Sequence, residues 1–436
     1  MNTAASLLSL AEDALGLRLP IRLRAWDGSE AGPAGDGPVL VIRDKRALRH
    51  VMYQPGELGV ARAYVQGYLD VEGDLADGLR AMWAAVRDAR AADESAGRPR
   101  VTPRLALRAV GLALRLGIVG KRPPIPAAES QLSGELHSRE RDQAAISHHY
   151  DLSNDFYELV LDPQMGYSSG YHVTEDASLE NAQFAKLDLV CRKLGLQPGM
   201  KMLDIGSGWG SLTLHAAQHY GVHVTGVTLS REQRDFVLKR AADRGLQDRV
   251  DVSLRHFRDL SEAGVRDGGI DAIASIEMGE HVGDAEYEVF TSSIHRYLRP
   301  GGRVLIQQMS RSNGKDGDRP GGGPFIETYI APDMHMKPLA KTLAFINDAG
   351  LEIRDVQALR EHYPLTVAGW AQNLEDNWDE AVRLVGIENA RVWRLYLAGG
   401  SLAFEENRMG VDQILAVKPS PAGVSSMPLT PEWIQR

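Results

Sequence analysis

Short apolar runs separated by longer amphipathic stretches dominate the second two-thirds of the chain. Lys201–Ile205, His223–Val227, Ile270–Ile276 and Arg303–Gln308 are each long enough for a strand and alternate with helical stretches. That alternation predicts a parallel sheet covered by helices, a doubly wound α/β fold. Earlier, Pro38–Ile42 predicts a strand, Asp44–Tyr53 a helix, and Gly59–Leu75 is punctuated by Gly and Asp. These elements predict a smaller mixed α/β domain.

Between the two lies a basic stretch bracketed by Pro99, Pro103, Pro123, Pro124 and Pro126. If Pro103–Lys121 is helical, Arg104, Arg108 and Arg115 fall within about 40° of one another, while Leu105, Ala109, Leu112, Ala113 and Leu116 lie on other faces. At 436 residues the chain exceeds one core, and about two or three domains are expected. The division reads as residues 1–97 for the N-terminal domain, 98–140 for the basic linker and 141–436 for the larger domain. The larger domain's C-terminal helices are expected to cover a substrate. Asn313–Gly323 is polar and Gly-rich, as a gate would be.

Charge sharpens this picture. The net charge is −9, yet Ser95–Ala128 holds seven Arg and Lys and no acid, which leaves −16 on the remainder. Such a segment suits an anionic membrane surface, or it is a linker whose arginines are solvated; both readings stand. Nucleic acid is disfavoured, because no aromatics interleave the basic residues and the rest of the surface repels phosphate. No apolar run approaches the roughly 20 residues of a membrane span. The first sixteen residues carry Glu12 and Asp13 but no basic leader, so a cytoplasmic protein at the inner face of the membrane is expected. Cys191 is the sole cysteine, which argues against disulfides and a thiolate metal site.

The sharpest chemical signal is Leu203-Asp204-Ile205-Gly206-Ser207-Gly208-Trp209-Gly210, at a strand end before a helical run. Glycines there let backbone approach a ligand closely. A dinucleotide site would carry an acid about 20 residues on, but Val224–Thr228 supplies none. The initial Asp204 and the glycine spacing resemble instead the S-adenosylmethionine (SAM) turn of class I methyltransferases.

From about Gly59 to Pro419 the chain resembles the cyclopropane-fatty-acyl-phospholipid synthase family, closest to its actinobacterial fatty acid methyltransferase branch. The resemblance rests on 149–157 (HYDLSNDFY), 165–171 (MGYSSGY), 181–187 (NAQFAKL), 226–233 (GVTLSREQ), 280–283 (EHVG) and 325–330 (FIETYI), in that order, with 67–75 (GYLDVEGDL) before them. It implies a Rossmann-like methyltransferase with an N-terminal domain that assists lipid binding and homodimer formation. It implies SAM binding by Tyr167, Ser168, Asp204, Gly206, Gly208, Gly210, Thr228 and Gln233, with Phe257 beside adenine, and places Tyr150 near the reacting carbon.

Alkylating an isolated alkene creates a carbocation, which needs shielding from water, aromatic or carboxylate groups facing the charge, and a base. Glu277, Glu280 and His281 follow the Ile270–Ile276 strand, where a doubly wound sheet binds its ligands. The resemblance also exposes a departure. Cyclopropane synthases hold a bicarbonate base in a cage of cysteine, glutamate, histidine and tyrosine; the matching positions here are Ser169, Glu280, Gln307 and Ala371, and Glu277 replaces a small residue. Bicarbonate should therefore bind poorly. Without it, a hydride shift and loss of a methyl proton to Glu277, to Glu280 or to a water held by Gln307 would give a methylene branch, which a separate reductase could convert to a methyl branch. The expected reaction is thus transfer of methyl from SAM to an unsaturated phospholipid acyl chain. Its alternatives are a cyclopropane synthase, a methyltransferase for a soluble amine or hydroxyl, and a non-catalytic lipid-binding protein on the same fold.

Overall fold

The computed structural model describes residues 2–93, 97, 102–129, 153–311, 322–431 and 433. Its contacts divide into two units. The first comprises Met1–Glu129, Pro324–Tyr329 and Val385–Leu402, and the second the remainder.

In the first unit β1 (Arg22–Arg24), β2 (Glu30–Ala31), β3 (Val39–Ile42) and β4 (Leu69–Glu72) form a sheet in the order β2-β1-β3-β4. The helix Thr3–Leu15 starts where Asn2 Oδ1 accepts from Ala5 N and ends at Gly16, whose φ is 67°. Ala4, Leu7, Leu23, Ile42, Ala63 and Leu69 make the core, and Leu112 and Leu116 pack against it. The helix foreseen in the basic stretch runs Pro103–Leu116, capped by Thr102 and Gly117. It packs within this unit, with Arg115 donating to Ser6 Oγ at 3.0 Å and Arg108 paired with Asp13. Residues 103–116 thus belong, by their contacts, to the N-terminal unit, beyond the expected boundary at 97. So does residue range 385–402, which the sequence reading kept in the larger domain. There Arg391 donates to the carbonyls of Tyr64 (2.6 Å) and Leu69 (2.9 Å) and lies over the Tyr64 ring. Gly386, at φ 79° and ψ 157°, kinks the helix Trp378–Glu405 at this divide.

The second unit is built on a sheet of β5 (Lys201–Ile205), β6 (His223–Thr228), β7 (Val250–Leu254), β8 (Ile270–Ile276), β9 (Leu298–Arg311), β10 (Glu352–Ala358) and β11 (Met409–Val417). Their order is β10-β11-β9-β8-β5-β6-β7, and β11 runs antiparallel to both of its neighbours. Helices cover both faces, which is why β8 reads as an almost unbroken apolar run with Ala272, Ile273 and Ala274 fully buried. The doubly wound class I methyltransferase fold expected from the sequence is the fold observed. Ligand-binding loops leave the carboxyl ends of β5, β6 and β8, where such sheets hold their ligands. None of the helices among the described residues is long and apolar enough to cross a membrane.

Candidate active site

One cavity opens at those carboxyl ends. Tyr167, Ser168, Asp204, Gly206, Gly208, Thr228, Gln233, Phe257, Glu277 and His281 all line it. The turn after β5 uses left-handed backbone at Gly206, Gly208 and Gly210, with φ of 82°, 52° and 78°. The glycines differ in what they face. A Cβ on Gly206 would lie 2.8 Å from the Met278 side chain and one on Gly210 2.7 Å from Val237, whereas one on Gly208 would meet nothing within 4 Å. Gly208 therefore faces the open cavity. Gly210 does not line it, and its missing side chain lets the following helix, Ser211–Tyr220, approach Val237.

Asp204 is buried and accepts from Thr213 Oγ1 at 2.6 Å; burial pushes its carboxyl up to about 6. After β6, the Thr228 hydroxyl donates to Gln233 Oε1 at 2.7 Å, and Ser230 caps the helix Arg231–Asp243 by accepting from Gln233 N. Phe257 follows β7 and packs edge-on against Phe290. Beside it His256 caps its own turn, accepting from Arg258 N, and Arg258 pairs with Glu286. These hydroxyls, amides and one aromatic wall fit the ribose and adenine of SAM without a ribose-binding acid.

The loop before the helix Leu179–Leu194 is held from below. Gln183 Nε2 donates to the carbonyls of Gly166 (3.1 Å) and Ser168 (2.7 Å), and Lys186 Nζ donates to Ser168 Oγ at 2.9 Å. Gly166 is needed because a Cβ would lie 2.5 Å from Gln183 Oε1. This accounts for Gln183 and Lys186 in the motif of residues 181–187, to which the sequence assigned no role. Lys186 is fully buried; desolvation lowers its pKa, opposed by the carboxylates of Glu277, Asp162 and Asp204. Around the loop Tyr167 packs against Tyr157, Trp209 and Trp370 with ring centroids 5.4–6.4 Å apart. Of these rings Tyr167 and Trp209 line the cavity, where an aromatic face can stabilise a cation, and the buried Tyr157 and Trp370 pack behind them.

Glu277 follows β8 and is the departure that matters most. Its φ is 50°, a left-handed conformation that a non-glycine residue holds only at a cost. Its carboxylate takes three donors: Ser169 N at 2.9 Å and Gln307 Nε2 at 2.8 Å on Oε1, and the Tyr363 hydroxyl at 2.6 Å on Oε2. Gln307 is oriented in turn by Gln413, whose Nε2 donates to Gln307 Oε1 at 3.0 Å. Desolvation pushes the Glu277 carboxyl up, and these hydrogen bonds pull it back.

Glu280 is placed differently from the expectation. It is fully buried and does not line the cavity; Oε1 accepts from Met309 N at 2.5 Å, and Oε2 has no partner among the described residues. Burial, reinforced by the Glu277 charge, pushes its carboxyl up to about 8. With three donors on one carboxylate and one on the other, the hydrogen bonding favours the negative charge of the pair on Glu277 and the proton on Glu280. His281 does line the cavity.

Two features of the sequence reading change. The tyrosine missing at position 371 is supplied from residue 363 in the same helix, His362–Asp376, two turns earlier. Ser169 contributes its backbone N–H to the cage, its hydroxyl donating to Gly170 O instead. Tyr150 and the stretch 313–321 lie outside the described residues.

A Rossmann-like sheet with this glycine turn and a cavity at its carboxyl edge defines a class I SAM-dependent methyltransferase, and SAM is its cofactor. Residues 137–414 match the family model described as mycolic acid cyclopropane synthetase, and the chain belongs to that family. It is 37% identical over 95% of both chains to a probable fatty acid methyltransferase, Rv3720, of Mycobacterium tuberculosis, and 35% identical over 96% of this chain and 97% of the other to one from Pseudomonas putida. Among solved structures, mycolic acid cyclopropane synthase CmaA1 complexed with SAH and CTAB aligns with a TM-score of 0.58 and 33% identity, covering 63% of this chain and 97% of that one. The family acts on lipid double bonds with SAM.

Proposed function

We propose that this enzyme methylates the double bond of an unsaturated phospholipid acyl chain and releases a methylene-branched chain. The observation that carries the reading is the Glu277 carboxylate, lining the cofactor cavity in a cage of Ser169, Gln307 and Tyr363. SAM supplies the methyl group as a CH3+ equivalent. The alkene carbon that receives it leaves a positive charge on its neighbour. A hydride shift from the methylated carbon to that neighbour moves the charge to the more substituted carbon. Glu277 then takes a proton from the methyl group; the released C–H electron pair forms the exomethylene C=C bond, and the carboxyl becomes neutral. A base carried by the chain itself stands where other members of the family would hold bicarbonate. The relatives that span nearly the whole chain are named fatty acid methyltransferases, which favours this product over a ring.

By the same reading the substrate is met at the inner face of the membrane, the first unit assists lipid binding and pairing of two copies, and a separate reductase saturates the product. Expression in a host fed labelled methionine, followed by NMR of the labelled lipid, tests the proposal. Methylene and cyclopropane products are isomers, so mass alone does not separate them. Olefinic exomethylene protons are expected. A cyclopropane as the dominant product, with turnover rising on added bicarbonate, overturns the reading.

A further inference from the structure

The helix Pro103–Leu116 is apolar on two opposite sides. Taking about 100° per residue, Leu105, Ala109, Leu112, Ala113 and Leu116 form the side that turns to the core, where Ala113 is buried and Leu112 and Leu116 pack against the cluster containing Ala4 and Leu7. Leu107, Val110 and Leu114, spaced at i, i+3 and i+7, lie within about 60° of one another on the other side. They are 75%, 56% and 65% exposed, large values for three aliphatic side chains on one face. Arg104, Arg108 and Arg115 occupy the sector along one edge of that face. The exposed row extends past the Gly117 cap to Val119, 57% exposed, and reaches Met52 and Tyr53 through the hydrogen bond from the Tyr53 hydroxyl to Gly120 O.

We infer that this outer face is a membrane-inserting surface, in which Leu107, Val110, Leu114 and Val119 enter the acyl boundary of an anionic bilayer while Arg104, Lys121 and Arg122 meet its phosphates. Charge complementarity selects this occupant. The surrounding stretch carries seven basic residues and no acid in a chain whose remainder is at −16, so the apolar face sits in the one strongly cationic segment of an otherwise acidic protein. A second copy of the chain would bring the same positive charge against itself. The arginine stripe alone does not carry the attachment, because Arg108 is paired with Asp13 and Arg115 is engaged by Ser6. The apolar row is what separates insertion from surface attraction. This inference extends the proposal that the substrate is a membrane phospholipid.

The test uses the full chain and vesicles of phosphatidylglycerol or phosphatidylcholine, without SAM. Leu107→Gln, Val110→Gln and Leu114→Gln together keep good helix formers at exposed positions, and are expected to weaken binding to phosphatidylglycerol vesicles at least tenfold. Methyl transfer to acyl chains presented in detergent micelles is expected to stay unchanged. Because the sole cysteine, Cys191, is buried, Leu107→Cys can carry an environment-sensitive fluorophore, and a blue shift on adding phosphatidylglycerol vesicles is expected. Salt should weaken wild-type binding without abolishing it, since the inserted row is not screened. Unchanged vesicle affinity of the triple variant, or no spectral shift, overturns the inference, as does a triple variant that changes oligomeric state while binding vesicles normally. If wild type binds vesicles as described but methylates no acyl chain in micelles, the failure belongs to the proposed reaction and not to this surface.

Discussion

The Tyr363 hydroxyl donates to Glu277 Oε2 at 2.6 Å, joining the helix His362–Asp376 to the residue that follows β8. This bond favours the ionised carboxylate, against the burial that pushes Glu277 toward its neutral form. Tyr363→Phe removes the donor and raises the Glu277 pKa further. The base is the deprotonated form, so the acid limb of the kcat profile should move to higher pH. A hydrogen bond to a charged group contributes about 1.5–3 kcal/mol, and kcat near neutrality should fall by about ten- to a hundredfold. An acid limb that does not move would detach Tyr363 from the base.

The SAM turn gives a second expectation, with a distinction among its glycines. Gly206→Val should abolish SAM binding in calorimetry, because φ is 82° and the new Cβ would press on Met278 at 2.8 Å, beside Glu277. Gly208→Ala places its methyl in the open cavity at φ 52°, and should weaken SAM by occupying ligand space, with a loss of stability confined to left-handed backbone strain of about 1–2 kcal/mol. Gly210→Val adds a clash with Val237 at 2.7 Å to the same backbone strain and should lower the melting temperature further. Equal losses of affinity and stability at all three positions would contradict this division.

The doubly wound sheet and the cofactor turn were legible because both are local. Four apolar runs and one glycine pattern sufficed, and Asp204, Gly206, Gly208, Thr228, Gln233 and Phe257 stand around one cavity. The cage around Glu277 was half legible. Ser169, Glu277 and Gln307 could be found by alignment to motifs, but Tyr363 approaches from another helix, 86 residues beyond Glu277, and no local pattern announces it. Glu280 looked like the principal acid because it heads Glu-His-Val-Gly; a motif does not record which carboxylate receives three donors and which receives one. The strands β10 and β11 carry no such local signal, for a physical reason. The residues of β10 alternate between partly buried and exposed, and Asp412 and Gln413 interrupt the apolar run of β11. Likewise the packing of residues 385–402 in the first unit turns on Arg391 and backbone carbonyls more than 300 residues away, a pairing without sequence periodicity.

Glu280 supplies a prediction about stability. Its carboxyl titrates near 4.5 when exposed in the unfolded chain and at about 8 in the fold, so the folded state binds the extra proton. The stability this brings is complete below the unfolded value and is lost as pH rises through about 8, by an amount of the order of a few kcal/mol. Denaturant unfolding at about pH 6 and about pH 9 should show that loss in the wild type. Glu280→Gln removes the titration and should flatten the dependence. Because Glu280 lies outside the cavity and its surroundings favour the protonated form, this variant should keep most of its methyl transfer; a loss as large as that of Glu277→Gln would reassign the base.

The most direct expectation concerns Glu277 itself. Glu277→Gln keeps the shape but removes the base, and turnover should fall by about a hundredfold or more, with SAM affinity retained because the glycine turn is untouched. Glu277→Gly does something different. The backbone sits at φ 50°, which glycine adopts without strain, so the variant should fold with stability equal to the wild type or higher by up to about 1 kcal/mol. It also empties a space lined by Ser169 N, Gln307 Nε2 and the Tyr363 hydroxyl, donors that previously shared one carboxylate. A small external anion with a basic oxygen can then enter. Added bicarbonate should restore turnover to Glu277→Gly in a saturable way, while leaving Glu277→Gln unaffected because its amide still fills the cage. The product should be read in the same assay by NMR. Rescue with exomethylene protons would mean that the time available for the hydride shift sets the outcome, and rescue with cyclopropyl protons would mean that the position of the base does. Wild-type turnover should not respond to bicarbonate in either case. A wild type that bicarbonate activates, or a Glu277→Gly variant that stays fully active without it, would remove Glu277 from the reaction.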